Sequence, residues 1–258
     1  YRKNVEGVKI MENTIIYGKN AVIEALEAGE REFNKILISN SARSDVKIER
    51  IKELAQKNGI VFQFVAPQKL NQLEPEGRHQ GVIAQISPVK YTDLDDFIEK
   101  NGGNVVILDG VEDSHNVGAI IRSCVCAGVK GIILPSRRGV LINSTVEKTS
   151  AGAVNHISII KVNSLVGAVQ KLKENNYWVI ASDHHAKDNY FDVDYKDMNF
   201  ALIMGAEHAG ISRSLLKLSD FKIKIPMLTD FNSLNVSNAA AIILFEAVKQ
   251  QVKTKQAR

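Results

Sequence analysis

From residue 104 onward the chain repeats one pattern: a short apolar, often β-branched run followed by a stretch with helical spacing. The runs are Val105–Asp109, Gly131–Leu134, Ile157–Ile160, Trp178–Ser182, Ala201–Met204 and Phe221–Ile225. Continuous apolar runs, rather than alternating ones, are what strands covered on both faces require. The segments Asn116–Ala127, Ser144–Ala151, Ser164–Asn175, Ser212–Leu218 and Ser233–Gln251 fit helices. Strand and helix in alternation predict an α/β domain with a mostly parallel sheet. Ligands of such sheets bind beyond the carboxyl ends of the strands. A site is therefore expected in the loops after Leu108, Leu134, Met204 and Ile225.

Residues 11–87 read as a separate, smaller α/β unit. Its helices are expected at Gly18–Ala28 and Asp45–Asn58, and its strands at Phe33–Ser39, Ile60–Val65 and Gly81–Ile86. A polar turn, Glu74 to Gly81, precedes the last strand. Residues 88–103 carry Pro88, an acidic patch at Asp93, Asp95 and Asp96, and Gly102-Gly103. They read as a linker holding a short helix over Leu94–Lys100, between domains at 11–87 and 104–251. Residues 1–10 precede Met11 and are expected to be a non-native leader. Residues 252–258 read as a frayed basic tail.

Composition narrows the function classes. With 45% hydrophobic and 24% charged residues, the 258-residue chain is not a mostly disordered, collagen-like or disulfide-scaffold sequence. No stretch offers about 18 uninterrupted apolar residues, so no membrane span is expected. The net charge is +4, all of it beyond residue 100, which mildly favours a polyanion partner. Cys124 and Cys126 are two apart on a predicted helix and point apart. With no zinc spacing around them, they read as reduced residues of a cytoplasmic protein. The opening Tyr1-Arg2-Lys3-Asn4 has no signal-peptide core. Several fingerprints are absent: G-x-G-x-x-G after a strand, the phosphate-binding G-x-x-x-x-G-K-[ST], the G-x-S-x-G elbow and H-E-x-x-H. His184-His185, beside Asp183 and Asp188, reads as a solvated loop rather than a metal site, and no metal is expected.

Three segments carry the signal. The first runs from Leu108 through Asp113-Ser114-His115-Asn116-Val117-Gly118 to Arg122. Asn116 suits a helix cap; Arg122 is by default a solvated surface arginine, but set among apolar neighbours it is expected to meet a fixed anion or carboxylate. The second, Met204-Gly205-Ala206-Glu207-His208-Ala209-Gly210, is a strand running into a Gly-bounded loop. Glu207 there is either a helix cap or an anchoring carboxylate. The third, Ile225-Pro226-Met227 through Ser233-Leu234-Asn235-Val236-Ser237, opens an Ala-rich helix with Ser233 as its expected cap. Asn235 and Ser237 need internal partners, a ligand or a second subunit.

In this order and at these strand ends, the segments resemble the three signature motifs of the SpoU/TrmH family within the SPOUT methyltransferases: N-x-G-x-x-x-R, G-x-E-x-x-G and I-P-M…S-L-N-x-S. The stretch Pro135–Ala153 shares the resemblance. Ile16-Tyr17-Gly18 and His79-Gln80-Gly81-Val82 resemble the family's substrate-binding domain, which is like ribosomal protein L30e. The likeness spans about residues 12–250 and is greatest to members that methylate a guanosine of 23S rRNA. Ser114, His208 and Thr229 stand where members commonly carry Pro, Gly and Gly.

The resemblance implies a C-terminal α/β domain with a trefoil knot, an N-terminal L30e-like domain, and a homodimer joined through the C-terminal domain. It implies transfer of a methyl group from S-adenosyl-L-methionine to a ribose 2′-OH of large-subunit rRNA. By motif match the catalytic residues are Arg122, Asn116, Glu207 and Asn235. The cofactor residues are Met204, Gly205, Ile225, Met227, Ser233 and Leu234, and Arg137, Arg138, Arg78 and His79 are candidate RNA contacts. Arginine stays protonated at neutral pH, so Arg122 is expected to position and polarise rather than act as a base. Two alternatives stand beside this: a tRNA or other-site ribose methyltransferase, and a non-catalytic ribosome-assembly factor that kept the fold.

Overall fold

The computed structural model describes residues 14–75, 78–100, 102–137, 139–229 and 233–256, with side chains through Val252. The expected leader, residues 1–10, lies outside the described residues. The chain divides into two compact units, residues 1–89 and 90–258.

The first unit comprises β1 (Thr14–Tyr17), α1 (Lys19–Ala28), β2 (Phe33–Ser39), α2 (Val46–Lys57), β3 (Phe62–Val65), α3 (Pro67–Leu73) and β4 (Val82–Ile86). Its four-stranded sheet has the order β1-β4-β2-β3. β4 is antiparallel to both neighbours, and β2 and β3 are parallel. The two-residue period of a strand sorts the core. Ile36, Ile38, Val82, Ala84 and Ile86 face α1 and α2 through Val22, Leu26, Ile48 and Ile51. Leu37 and Ile83 face the other way, onto Leu70 of α3. The carboxylate of Asp45 caps α2 by accepting from the N–H groups of Lys47 and Ile48. β1 and α3 were not expected, although Pro67 at the first helical position is a start signal.

The second unit comprises β5 (Tyr91–Thr92), α4 (Leu94–Glu99), β6 (Val105–Asp109), α5 (Ser114–Cys126), β7 (Gly131–Pro135), α6 (Ser144–Thr149), β8 (Ser158–Val162), α7 (Leu165–Glu174), β9 (Trp178–Ser182), β10 (Asp188–Asn189), β11 (Phe200–Gly205), α8 (Arg213–Leu218), β12 (Phe221–Lys224) and α9 (Val236–Gln256). The eight strands follow the order β10-β12-β9-β11-β6-β7-β8-β5, and every neighbouring pair is parallel. One face, with Val105, Ile107, Ile133, Val179 and Ile203, packs against α4, α7 and α8 through Phe97, Val169, Leu172 and Leu215. On the other face α5, α6 and α9 pack together. Both edges end in two-residue strands, which offer little free ladder to another chain.

The linker expectation changes in its second half. β5 pairs with β8, and Leu94 and Phe97 of α4 are buried in the core, so residues from Lys90 onward belong to the second unit. The basic tail also changes, since α9 continues through Gln256. Among the described residues, no helix is long and apolar enough to cross a membrane.

Candidate active site

Three loops at the carboxyl ends of the central strands are shaped by local chemistry. After β6, Asp113 caps α5, its carboxylate accepting from the Asn116 N–H at 2.8 Å. Asn116, expected as the cap, is instead the third helical residue, and its amide is free to reach outward. After β11 the chain closes on itself. Ala206 and Gly210 exchange backbone hydrogen bonds of 3.2 and 2.9 Å. A Cβ on Gly205 would stand 2.3 Å from the Gly210 carbonyl carbon, and Gly210 has φ +64°. The G-x-E-x-x-G spacing is thus a closed loop with Glu207 at its tip. After β12, Asn235 rather than Ser233 caps α9. Its Oδ1 accepts from the Ser237 N–H at 2.9 Å and from the Ser237 hydroxyl at 2.6 Å.

The three loops meet in one network. Asn116 Nδ2 donates to Glu207 Oε1 at 2.9 Å. Asn235 Nδ2 donates to Asn116 Oδ1 at 2.8 Å and to Glu207 Oε1 at 3.2 Å. Hydrogen bonds to a carboxylate are stronger than neutral ones. Two amides therefore fix Glu207, although it is exposed. Its second oxygen, Oε2, has no partner among the described residues. The internal-partner reading of Asn235 and Ser237 is the one observed.

Glu207 and Asn235 also border a cleft of about 870 Å³. All six expected cofactor residues, Met204, Gly205, Ile225, Met227, Ser233 and Leu234, line it. Asn116 does not, and reaches it through Glu207. Arg122 does not line it either. It is exposed on α5, with no hydrogen bond or ion pair among the described residues, so the fixed anion expected beside it is not in this chain's described part. The loop after β7, expected at the site, contributes no lining residue, and its Arg137 is exposed. Arg138 lies outside the described residues.

In the first unit Arg78 is exposed, but His79 is buried. Its Nδ1 accepts from the Gly81 N–H at 3.0 Å, which leaves Nε2 to donate to Asn71 Oδ1 at 2.8 Å. With both ring nitrogens engaged internally, His79 organises the turn and is withdrawn as an RNA contact. Sequence reasoning also missed a wall of the cleft: Ser182, Asp183, His184, His185, Arg213 and Lys224 line it. The readable signal was position, because Ser182 ends a strand whose carboxyl end faces the cleft. No group of His, Cys, Asp and Glu among the described residues is placed to hold a metal.

Comparison with known proteins adds the context. The SpoU rRNA methylase family matches residues 103–245, and the RNA 2′-O ribose methyltransferase substrate-binding family matches residues 15–92. A Staphylococcus aureus (strain MSSA476) protein named as a TrmH family tRNA/rRNA methyltransferase is 39% identical over 246 residues, covering 93% of this chain and 98% of that one. The AdoMet-bound rRNA methyltransferase of Sinorhizobium meliloti superposes with a TM-score of 0.77 at 26% identity, over 92% of this chain and 87% of that one. The AdoMet complex of the SpoU methyltransferase AviRb from Streptomyces viridochromogenes has the same fold, with a TM-score of 0.79 at 24% identity over 93% and 91%. Both units are matched, and a relative is similar across nearly its whole length. The chain belongs to the SpoU/TrmH family of RNA 2′-O-ribose methyltransferases.

Proposed function

We propose that this chain methylates the ribose 2′-OH of a guanosine in 23S rRNA, acting as a homodimer in the cytoplasm. The observation that carries the reading is the Asn116–Glu207–Asn235 network, which joins all three motif segments at the edge of one cleft. The rRNA assignment is supported by the family description and by the Sinorhizobium meliloti relative.

The cleft suits S-adenosyl-L-methionine. Its volume is in the range of about 300–1,000 Å³ usual for small-molecule sites. Met204, Ile225, Met227 and Leu234 give it apolar walls, Ser233 offers a hydroxyl, and Gly205 keeps the backbone bare where a side chain would collide. Bound there, S-adenosyl-L-methionine would supply an electrophilic methyl group to the ribose hydroxyl, whose proton would pass to solvent. The chain's own residues do the rest. Glu207, held through Oε1 by two amides, borders the cleft and keeps Oε2 as an acceptor for a ligand hydroxyl or amino group. Asn116 and Asn235 fix that carboxylate in place, and such fixed geometry lowers barriers by several kcal/mol in favourable cases. Arg122 orients and polarises the nucleotide as a permanent cation.

Arg122 stands outside its own chain's cleft, and the homodimer reading assigns it to the cleft of the partner copy. α9 packs on α5 and leaves Ile242, Phe245 and Val252 exposed at 36%, 48% and 46%. That apolar face is the surface through which we propose the two copies join, each lending Arg122 to the other's cleft.

The test is transfer of labelled methyl to total rRNA from a strain lacking this protein. Wild type labels 23S rRNA at one guanosine, and Arg122→Ala does not. A mixture of Arg122→Ala with Glu207→Gln regains activity, because a mixed dimer keeps one intact site. Label on tRNA alone defeats the rRNA assignment. RNA binding without any label favours the assembly factor.

A further inference from the structure

The cleft wall away from α5 is used by nothing above. β9 lies between β11 and β12 in the sheet, so the turn after it stands across the cleft from the β6 side, where Asn116 sits. Four side chains of this wall matter: His184, His185, Arg213 and Lys224. The two imidazoles are exposed and stacked, with centroids 3.8 Å apart and planes tilted by 41°. Arg213 and Lys224 have no side-chain hydrogen bond or ion pair among the described residues. Lys173 and Lys249 of this unit are matched, to Asp220 and Glu246, whereas Lys217 and Lys222, like Lys224, have no such partner among the described residues. The wall's own carboxylate, Asp183, accepts from the His185 N–H at 3.0 Å and lies 3.9 Å from His184 Nδ1.

We propose that this wall grips the RNA strand beside the target ribose, with Arg213 and Lys224 on a phosphate and the His184–His185 pair against a base. The proposal rests on the methyl-transfer reading and deepens it. Cations beside an aromatic face are the combination that single-stranded RNA selects, because every nucleotide brings both a phosphate and a π surface. A cofactor carboxylate needs one cation and no ring. The placement agrees: His184, His185 and Arg213 are exposed at the rim, whereas buried Met204, Ile211 and Val236 line the cleft's interior. A ribose that reaches this cleft must carry its flanking phosphates past that rim.

The experiment pairs filter binding of deproteinised 23S rRNA across a salt series with calorimetric titration of S-adenosylmethionine alone. Arg213→Ala/Lys224→Ala is expected to weaken RNA binding about tenfold at 0.1 M salt. It should also flatten the plot of log affinity against log salt by roughly 0.7, the loss of one single-strand phosphate contact. His184→Ala/His185→Ala is expected to weaken RNA binding about tenfold with the slope unchanged. Arg213→Lys/Lys224→Arg keeps the slope, and cofactor affinity stays within twofold in every variant. Weaker cofactor binding with RNA binding intact overturns the proposal, as does RNA binding that no variant changes. A wild-type protein that binds neither ligand removes the methyl-transfer reading itself, a result separate from failure of the wall.

Discussion

Gly118 lies two residues after Asn116, at the middle of the N-x-G-x-x-x-R segment, and Gly118→Ala sets two effects against each other. Alanine is the better helix former by about 1 kcal/mol. The added methyl, however, would stand 2.7 Å from Thr149 Cβ, 3.0 Å from the Val146 carbonyl oxygen and 3.1 Å from the Ser150 nitrogen. Carbon atoms pack best at about 3.5–4.0 Å, so α5 and α6 must part by roughly 1 Å. The obstacle is rigid, because Val146 O and Ser150 N are themselves joined by a 2.9 Å hydrogen bond. Overpacking costs about 1–3 kcal/mol, and backbone obstacles place this case near the top. The net expectation is a loss of about 2 kcal/mol, or about 4–8 °C in Tm at roughly 2–4 °C per kcal/mol for a unit of this size. Gly167→Ala is the matched control. It makes the same change at an exposed position of α7, where the new methyl meets only Ser164 at 3.6 and 3.7 Å, so it should gain about 0.5–1 kcal/mol. Thermal and urea unfolding of both variants decide the matter. A Gly118→Ala protein as stable as wild type would refute the reasoning, because propensity would then outweigh contact at a helix–helix crossing.

Three further outcomes are expected. Asn116→Asp sets a second carboxylate 2.9 Å from Glu207 and should lower kcat at least tenfold more than Asn116→Ala, which is itself expected to lose about 10²-fold. Equal activity of the Asp variant and wild type would show that the network does not position the reaction. Cys124 is buried and burial pushes its thiol pKa up, whereas Cys126 is exposed. Iodoacetamide should therefore label one thiol in the native protein and two in urea, as counted by mass spectrometry. Tyr195 is buried, and burial, Glu246 and Tyr190 together raise its pKa above the usual value of about 10. The fold thus favours the neutral phenol. That stability is intact below about pH 10 and is lost as pH rises from there toward the folded-state value. Tm should fall between pH 10 and 11 in wild type and fall less in Tyr195→Phe.

What the sequence revealed and what it hid follow from range. Buried parallel strands are continuous apolar runs, so the six long strands from Val105 to Ile225 were readable from local composition. β5 and β10, with two residues each, leave no such run. Asp113 and Asn116 are both good caps three residues apart, and only the fold chooses between them. The choice matters, since a cap at Asp113 is what frees the Asn116 amide. The network was legible only through the motif resemblance, because its partners lie 91 and 119 residues apart in sequence. Strand order was not legible either. β7 lies beyond β6, away from β11, which puts its loop out of reach of the cleft, while β9 between β11 and β12 brings His184 and His185 to it. The burial of His79 depends on Asn71, across a turn whose closure no spacing reveals.

The return of α9 to α5 bears on when this enzyme can first act during its own synthesis. Asn235 joins Asn116 only after the 118 residues between them have been made. Closing so long a loop costs entropy that grows with the logarithm of its length. Contacts of such sequence separation form slowly. A nascent chain released as far as α8 already holds seven of the eight strands, missing only β12, yet it lacks both the cap of α9 and the second amide on Glu207. The site is therefore completed late: Glu207 gains its second amide only once Asn235 has left the ribosome and α9 has returned to α5.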